Sequence, residues 1–465
     1  MAETRTITSN TYKAVNIIKT YNDLLEQKTD KARMDFILSA IQDHKASELY
    51  RTAADAVEYA NQRNLTISRY RKLLYTITGE VVPDNYSANH KCASNFFSRF
   101  VTQQVSYLLG NGATFGNEIT KKKLGEKFDT QLYKAGKDAL IQGVAFGFYN
   151  LDHIDIFKLT EFVPLYDEED GALKAGIRFW QISDDRPLRA VLYELDGYSG
   201  FIKRKGKDIE PLTEKRAYRQ KVVRSEADGE RIYDGENYPA FPIVPLWGNL
   251  KKQSEIVGLR ENIDCYDLIK SGFANDLDDA SLIYWTLENC GGMNDEDLAQ
   301  FVQRMKTLRA STVDGGEGAK ATAHTMDVPY QSREVYLSRL RDDMYEDAMA
   351  LNTSQIAAGK ITATQIESAY EPLDEKCDEF EFCVLDFIEG LLKVAGLGPD
   401  VPTFKRSRII NQTEQTEMIM SAAEYLDDET VLRKLPFLSV DEVKDILARR
   451  DAEDSERFTH GGEDE

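Results

Sequence analysis

Cysteine and histidine are scarce in this chain, and neither is arranged for chemistry. The five cysteines (Cys92, Cys265, Cys290, Cys377 and Cys383) form no CxxC pair, and the five histidines (His44, His90, His153, His324 and His460) stand apart. An odd, scattered set argues against a disulfide framework and against a zinc ribbon. His90 and Cys92 are close but have no second pair at ligand spacing, so neither a metal nor another cofactor is expected. No apolar run approaches the roughly 18–20 residues that span a bilayer, so no membrane partner is expected. The first residues, MAETRTITSNTYKAV, lack the apolar core and cleavage site of a secretory signal, and an intracellular product is expected. A basic excess is also missing: the net charge is −21. Proteins that grip DNA through its phosphates are normally basic. If this chain meets nucleic acid, it must let it pass or touch it at a few points.

Enzyme signatures are missing too. There is no GxSxG, no HExxH, and no HRD or DFG. The stretch LNTSQIAAGKITATQIE (351–367) holds Gly359-Lys360 and resembles a phosphate-gripping loop at first sight. A Walker loop needs glycine five residues before the Gly-Lys pair, a hydroxyl directly after the lysine, and a preceding strand. Here Ser354 and Ile361 occupy those positions, and a helical pattern precedes them. DGGEGAK (314–320) fails because Ala319 stands where glycine must be. The paired acids Asp278-Asp279, Asp342-Asp343 and Asp427-Asp428 fall on polar helix faces and read as solvated surface. No catalytic residue is expected. A nucleotide-binding enzyme using Gly359-Lys360 is one alternative, and a generic helical scaffold or adaptor is another.

What the sequence does contain is architecture. Its 465 residues are 42 % hydrophobic and 29 % charged, a globular composition with room for two or three cores. The first ~110 residues read as helices. Within Asn89–Leu109, Phe96, Phe97, Phe100, Val101, Val105, Leu108 and Leu109 share one face, and Gly110 is placed to end the helix left-handed. Lys121–Lys123 reads as a solvated turn. From about Ala139 to Leu246, short β-prone runs such as VAFGFYN, EFVPLY and RAVLYEL alternate with turn signals and predict an antiparallel meander. The proline-rich FPIVPLWGN (241–249) predicts an edge strand.

Helix returns at Ser254. Ile256, Leu259, Ile263, Tyr266, Ile269, Phe273 and Leu277 predict one apolar stripe of a helix of about 24 residues, roughly 35 Å long. Glu255, Glu261, Asp264, Asp267, Asp276, Asp278 and Asp279 make its opposite, polar face. A small insert follows (Ser281–Pro329): a strand at SLIYWTLEN, a helix from about Asp295 to Leu308, and a loose VDGGEGAKA. Gln331–Ala350 is helical again through Leu337, Leu340, Met344, Ala348 and Leu351. The longest pattern runs from Ile366 to Val394 through Tyr370, Leu373, Cys377, Phe380, Val384, Phe387 and Leu391. Pro372 either starts or kinks that helix. Cys377 sits on its apolar stripe as a small core residue. The remainder gives a short strand (PTFKRSRII) and two or three helices. One carries Met418, Ile419, Ala422 and Leu426, and another opens on a Ser439/Glu442 capping box.

The order of these parts resembles the portal proteins of tailed bacteriophages. The passages that carry the resemblance are ANHKCASNFFSRFVTQQVSYLLGNGATF, FVPLYDEEDGALKAGIRFWQI, NYPAFPIVPLWGN with the helix after it, and TFKRSRIINQTEQTEMIMSAAEYLDDETVLRKLPFLSVDEVKDIL. The resemblance implies an α+β, predominantly helical subunit assembled as a ring, typically of about twelve copies. It implies a wing (1–250), a first stem helix (251–280), a clip (281–330), a second stem helix (331–350) and a tunnel loop (351–363). A long wing helix and return strand (364–410) and a crown with an acidic tail (411–465) complete it. It implies a virion component at one capsid vertex, assembled in the host cytoplasm, through which double-stranded DNA enters and leaves. The implied partners are the terminase large subunit, a head-completion or adaptor protein, and the major capsid and scaffolding proteins. Asn352, Thr353, Ser354, Gln355, Lys360 and Thr362 are the tunnel-loop candidates for DNA contact. Asn294, Glu296, Arg304, Lys306, Arg309 and Lys320 are the clip candidates for partner docking. The sequence departs from the family in one place: Ala357-Ala358-Gly359 stands where the loop often carries more bulk.

Overall fold

The structure, a computed structural model, describes residues 19–75, 79–84, 87–224, 231–280, 284–288, 294–308, 320–324, 330–356, 363–407, 416, 419–435, 443 and 446–450. Four helices come first: α1 (Tyr21–Glu26), α2 (Asp30–Ala46), α3 (Glu48–Ala60) and α4 (Leu65–Arg69). A small hairpin, β1 (Leu73–Tyr75) with β2 (Val81–Pro83), precedes α5 (Phe96–Leu109). Then come β3 (Ala113–Thr114), α6 (Glu118–Leu124) and α7 (Phe128–Gln142). The strand region holds β4 (Val144–Asn150), β5 (His153–Lys158), β6 (Phe162–Tyr166), β7 (Leu173–Trp180), β8 (Leu188–Glu194) and β9 (Gly197–Lys203). It continues through β10 (Ile209–Arg216), β11 (Arg219–Arg224), β12 (Arg231–Glu236) and β13 (Ile243–Trp247). After it lie α8 (Arg260–Ala280), β14 (Tyr284–Glu288), α9 (Asp295–Leu308), β15 (Lys320–His324) and α10 (Tyr330–Asp347). The last elements are α11 (Thr353–Ile356), α12 (Ala363–Ala395), β16 (Thr403–Phe404) and α13 (Asp428–Lys434).

These elements form two compact units, described separately. One contains the chain up to Tyr50, Val101–Gln253 and everything from Met349 onward; the other contains Arg51–Phe100 and Ser254–Ala348.

In the first unit, β6 to β10 pair in sequence order as an antiparallel meander. Helices α1 and α2 cover it: Leu24, Phe36, Ile37, Ala40 and Ile41 pack with Val163, Leu165, Ile177, Phe179 and Leu192. A second sheet has the order β13-β4-β5, so proline-bearing β13 lies at an edge, as its composition predicts. Six of the seven residues of β4 are buried, and since side chains alternate, both its faces are covered. Helices α7 and α12 pack against this sheet. Two glycines let α12 come close: a Cβ on Gly147 would lie 2.5 Å from Phe387 Cζ, and one on Gly390 would lie 2.6 Å from Val244 Cγ1.

The differences from expectation have local causes. Helix α7 continues to Gln142, past the predicted start of the strands at Ala139, and Gly143 (φ +89°) makes the break. Strands β10 to β12 arise from charged runs with no apolar alternation to mark them. Gly110 continues the helical ladder by one bond, its N–H donating to the Ser106 carbonyl at 3.1 Å, and the left-handed residue is Gly112 (φ +74°). Lys121–Lys123 lie in the last turn of α6 rather than in a turn, where cations suit the helix dipole. Helix α12 runs unbroken through Pro372, nine residues upstream of which it begins. It ends as predicted at Gly396 (φ +67°), where the Leu397 N–H returns to the Leu392 carbonyl at 2.9 Å in a Schellman closure. Burial pushes the Cys377 thiol up to about 12, the behaviour of an inert core residue. The Ser439/Glu442 box and Met418 lie outside the described residues.

In the second unit, α8 and α10 pack against one another and flank the hairpin β14–β15 and helix α9. Helix α8 starts at Arg260, not Ser254, because Gly258 (φ +91°) holds the preceding residues in turns. Helix α9 has the predicted bounds. Lys320 and Ala321, the end of the run read as loose, open a strand, Lys320–His324, that pairs with Tyr284–Glu288.

Candidate functional site

The insert between α8 and α10 carries the predicted docking residues. Asn294 is not a free surface group. Its Oδ1 accepts from the N–H groups of Glu296 (3.0 Å) and Asp297 (2.9 Å), and Asp297 Oδ2 accepts from the Asn294 N–H at 3.1 Å. This reciprocal cap starts α9. Glu296 and Arg304 are exposed on α9, beside the exposed apolar side chains Leu298 and Val302, while Phe301 is buried. Lys306 belongs to the same helix. Lys320 is exposed and opens β15 opposite Glu288. Arg309 lies outside the described residues.

The predicted loop follows α10. Ala348 closes the last helical bond on Met344, and Met349 turns the chain with φ +50°. Leu351 and Asn352 are buried. Asn352 is therefore a cap rather than a solvent-facing contact: its Oδ1 accepts from the Ser354 N–H (3.3 Å) and Oγ (2.6 Å). Thr353, Ser354 and Gln355 form α11, with Ser354 exposed and Thr353 half-buried. Lys360 and Thr362 lie outside the described residues. Leu351 joins Tyr107, Tyr370, Leu373 and Cys377 in a small core of its own.

Behind that core lies a charge cluster that sequence reading missed. The Tyr107 hydroxyl donates to Asp374 at 2.7 Å and its ring stacks on Tyr370 at 5.5 Å. Arg406 donates to the same Asp374 carboxylate (2.7 Å), to Glu381 (3.1 Å) and to Asp378. Burial works against the Arg406 charge, but the bonds from Asp378, Asp374 and Glu381 outweigh it and raise its pKa. One guanidinium thus neutralises part of the acidic row on α12. The only sequence signal was a basic KRSR run (405–408) following a helix with an acidic face.

In the second unit the main surprise is Asp267, assigned by periodicity to a polar outer face but fully buried. Its Oδ1 accepts from the Ser94 N–H at 2.9 Å and its Oδ2 from Asn64 Nδ2 at 2.9 Å. Two further rungs follow at helical spacing: Ser271 Oγ accepts from the Cys92 N–H (2.9 Å) and Asn275 Oδ1 from the His90 N–H (2.6 Å). Four helical residues rise about 6 Å and two extended residues about 6.6 Å, so every second amide of 90–94 meets every fourth side chain of α8. Asp264 accepts from the hydroxyls of Tyr59 and Thr66, each at 2.6 Å.

The other acid pairs have ordinary tasks: Asp343 binds Arg339 (3.2 Å), Asp427 caps α13 through the Thr430 N–H (3.0 Å), and Asp428 binds Arg450 (2.5 Å). Among the described residues no group of His, Cys, Asp and Glu is arranged to hold a metal ion. Nor, among them, is any helix long and apolar enough to cross a membrane.

Comparison with known proteins decides between these readings. Residues 57–456 match the family model described as phage portal protein, SPP1 Gp6-like. The chain belongs to the phage portal protein family. Its α+β, mainly helical fold fits that membership, and as a portal-family protein it is a structural component of a phage particle. The portal protein of Clostridium phage phiCD119 is 23 % identical over 415 residues, covering 80 % of this chain and 89 % of that protein. The portal protein of Bacillus phage SPP1 is 23 % identical over 428 residues, covering 83 % of this chain and 80 % of that protein.

Proposed function

We propose that this portal subunit closes into a ring of about twelve copies at one capsid vertex and forms the conduit for double-stranded DNA during packaging and ejection. The observation that carries the reading is the family match along residues 57–456, which spans the helical pair α8–α10 and its small head. In this assignment α8 and α10 are the stem helices and the head of β14, α9 and β15 is the clip. Residues 351–363 are the tunnel loop, α12 is the long wing helix, and the segments after 411 form the crown. The clip meets the terminase large subunit during packaging and a head-completion or adaptor protein afterwards. Its candidates are Glu296, Arg304 and Lys320, together with Lys306 and Arg309. The wing and crown meet capsid and scaffolding proteins.

Physical chemistry supports a ring and a sliding duplex. Tyr330, Val335 and Tyr336 on α10, with Leu268 and Leu277 on α8, are exposed apolar side chains on one unit. A head-to-tail contact with the next copy removes such surface from water and closes into a ring. A net charge of −21 repels phosphates, so the duplex passes without sticking. Lys360 is then the positive contact candidate of the loop, and Thr353, Ser354 and Thr362 are its hydroxyl-bearing candidates. Lys360→Glu, or deletion of Ala357–Lys360, is expected to leave the ring assembled and to lower DNA packaging or retention about tenfold. Packaging assays of capsids carrying either variant check this. Normal packaging in both would remove the loop assignment.

A further inference from the structure

We propose that Gln103 is a positioning residue for the DNA-facing loop, acting through a two-bond clasp on Leu351. The inference rests on the reading above that 351–363 faces DNA. Leu351 lies between α10 and α11, where no regular ladder serves its backbone, and it is only 4 % exposed. Buried N–H and C=O groups need partners. Gln103, on α5, supplies both: its Nε2 donates to the Leu351 carbonyl at 3.1 Å and its Oε1 accepts from the Leu351 N–H at 3.1 Å. A side-chain amide is a copy of a peptide group, so this pair imitates one rung of antiparallel strand pairing.

The same face of α5 also holds α12, the helix that follows the loop. Tyr107 lies four residues on from Gln103, hence on the same face, and stacks on Tyr370 near the start of α12. Leu351 and Tyr370 meet in one buried cluster with Tyr107. Helix α5 therefore holds the described chain before and after residues 357–362: Leu351 through Gln103, and Tyr370 through Tyr107. The aromatic side is held by packing, which fixes distance. The amide side is held by two directional bonds, which fix the orientation of the Leu351 backbone and so the direction in which α11 departs.

The test uses the full-length assembled protein and two variants. Gln103→Met keeps the length and volume of the side chain but removes both bonds. Hydrogen exchange at the Leu351 amide is expected to quicken about 10- to 100-fold. Ring symmetry is expected to be unchanged, and DNA retained per capsid to fall several-fold. Gln103→Glu gives a graded case. The ionised carboxylate accepts the Leu351 N–H but sets an oxygen against the Leu351 carbonyl. The protonated carboxyl donates to that carbonyl and restores the clasp. Protection of Leu351 in Gln103→Glu, corrected for intrinsic exchange, is expected to be low at pH 8 and regained near pH 5, with no such change in the parent or in Gln103→Met. If Gln103→Met fails to assemble, this reversible protection in Gln103→Glu decides the clasp. Unchanged protection in Gln103→Met, or no pH response in Gln103→Glu, overturns the clasp. Lost protection with normal packaging overturns the positioning role. Normal packaging in both Lys360→Glu and the Ala357–Lys360 deletion instead removes the DNA-facing reading, while amide exchange still reports on Gln103.

Discussion

Asp267→Ala is expected to lower the stability of the unit containing α8 by about 2–4 kcal/mol. The carboxylate is fully buried and satisfies two donors, the Ser94 N–H and the Asn64 amide. Hydrogen bonds to a charged group contribute about 1.5–3 kcal/mol each, and orphaned buried donors add to the loss. Relief of the desolvation penalty on the charge offsets part of it. Asp267→Asn keeps one acceptor and is expected to cost about 1–2 kcal/mol. The pH dependence follows from the raised pKa of Asp267, which burial pushes up while the bonds from Asn64 and Ser94 pull the other way. A carboxyl whose folded pKa exceeds its unfolded value stabilises most below the unfolded value, and that contribution is lost as pH rises through the folded pKa. The deficit of Asp267→Asn against the parent is therefore expected to narrow between about pH 4 and neutrality. Hydrogen exchange along α8 at several pH values checks this. Equal protection in Asp267→Ala and the parent would contradict the ladder.

Arg406→Ala is the second large effect, about 2–3 kcal/mol in the other unit. It strands three carboxylates that now share one guanidinium: Asp374, Asp378 and Glu381. Breaking a fully buried pair costs about 3–5 kcal/mol. The figure here is smaller because water reaches Asp378, which is 59 % exposed. Arg406→Lys retains charge but not the planar fork that serves several acceptors, so it is expected to recover less than half of the loss. Salt at about 0.5 M screens the carboxylates left behind and narrows the gap between Arg406→Ala and the parent. Urea denaturation at two salt concentrations measures both effects. A lysine variant as stable as the parent would show that simple charge balance is enough.

What was legible in the sequence followed periodicity. The 3.5-residue beat of Tyr370, Leu373, Cys377, Phe380, Val384 and Phe387 predicted the buried stripe of α12, and Asp295–Leu308 was read to the residue. Turn signals between apolar runs gave the antiparallel character of the strand region. What was not legible depends on distant partners. Asp267 reads as a surface acid until Asn64, 203 residues away, and Ser94 supply its donors. Asn294 and Asn352 read as recognition residues because side-chain amides serve ligands and helix starts equally well; only the geometry of the following amides distinguishes a cap. Gln103 gave no signal and Arg406 only that of a basic run, because their tasks lie in Leu351 and in the acidic face of α12. Within the loop, therefore, Asn352 and Ser354 are tied to each other: Asn352 is buried and caps the turn, while Ser354 is exposed and donates to it.

The central claim is that the subunit functions as a closed ring around DNA. Electron imaging of the purified, assembled protein, with its rotational symmetry counted, tests this most directly. The account predicts a ring of about twelve subunits with an open central channel wide enough for a duplex. Particles without rotational symmetry or without a channel, in capsid-derived as well as purified material, would contradict it.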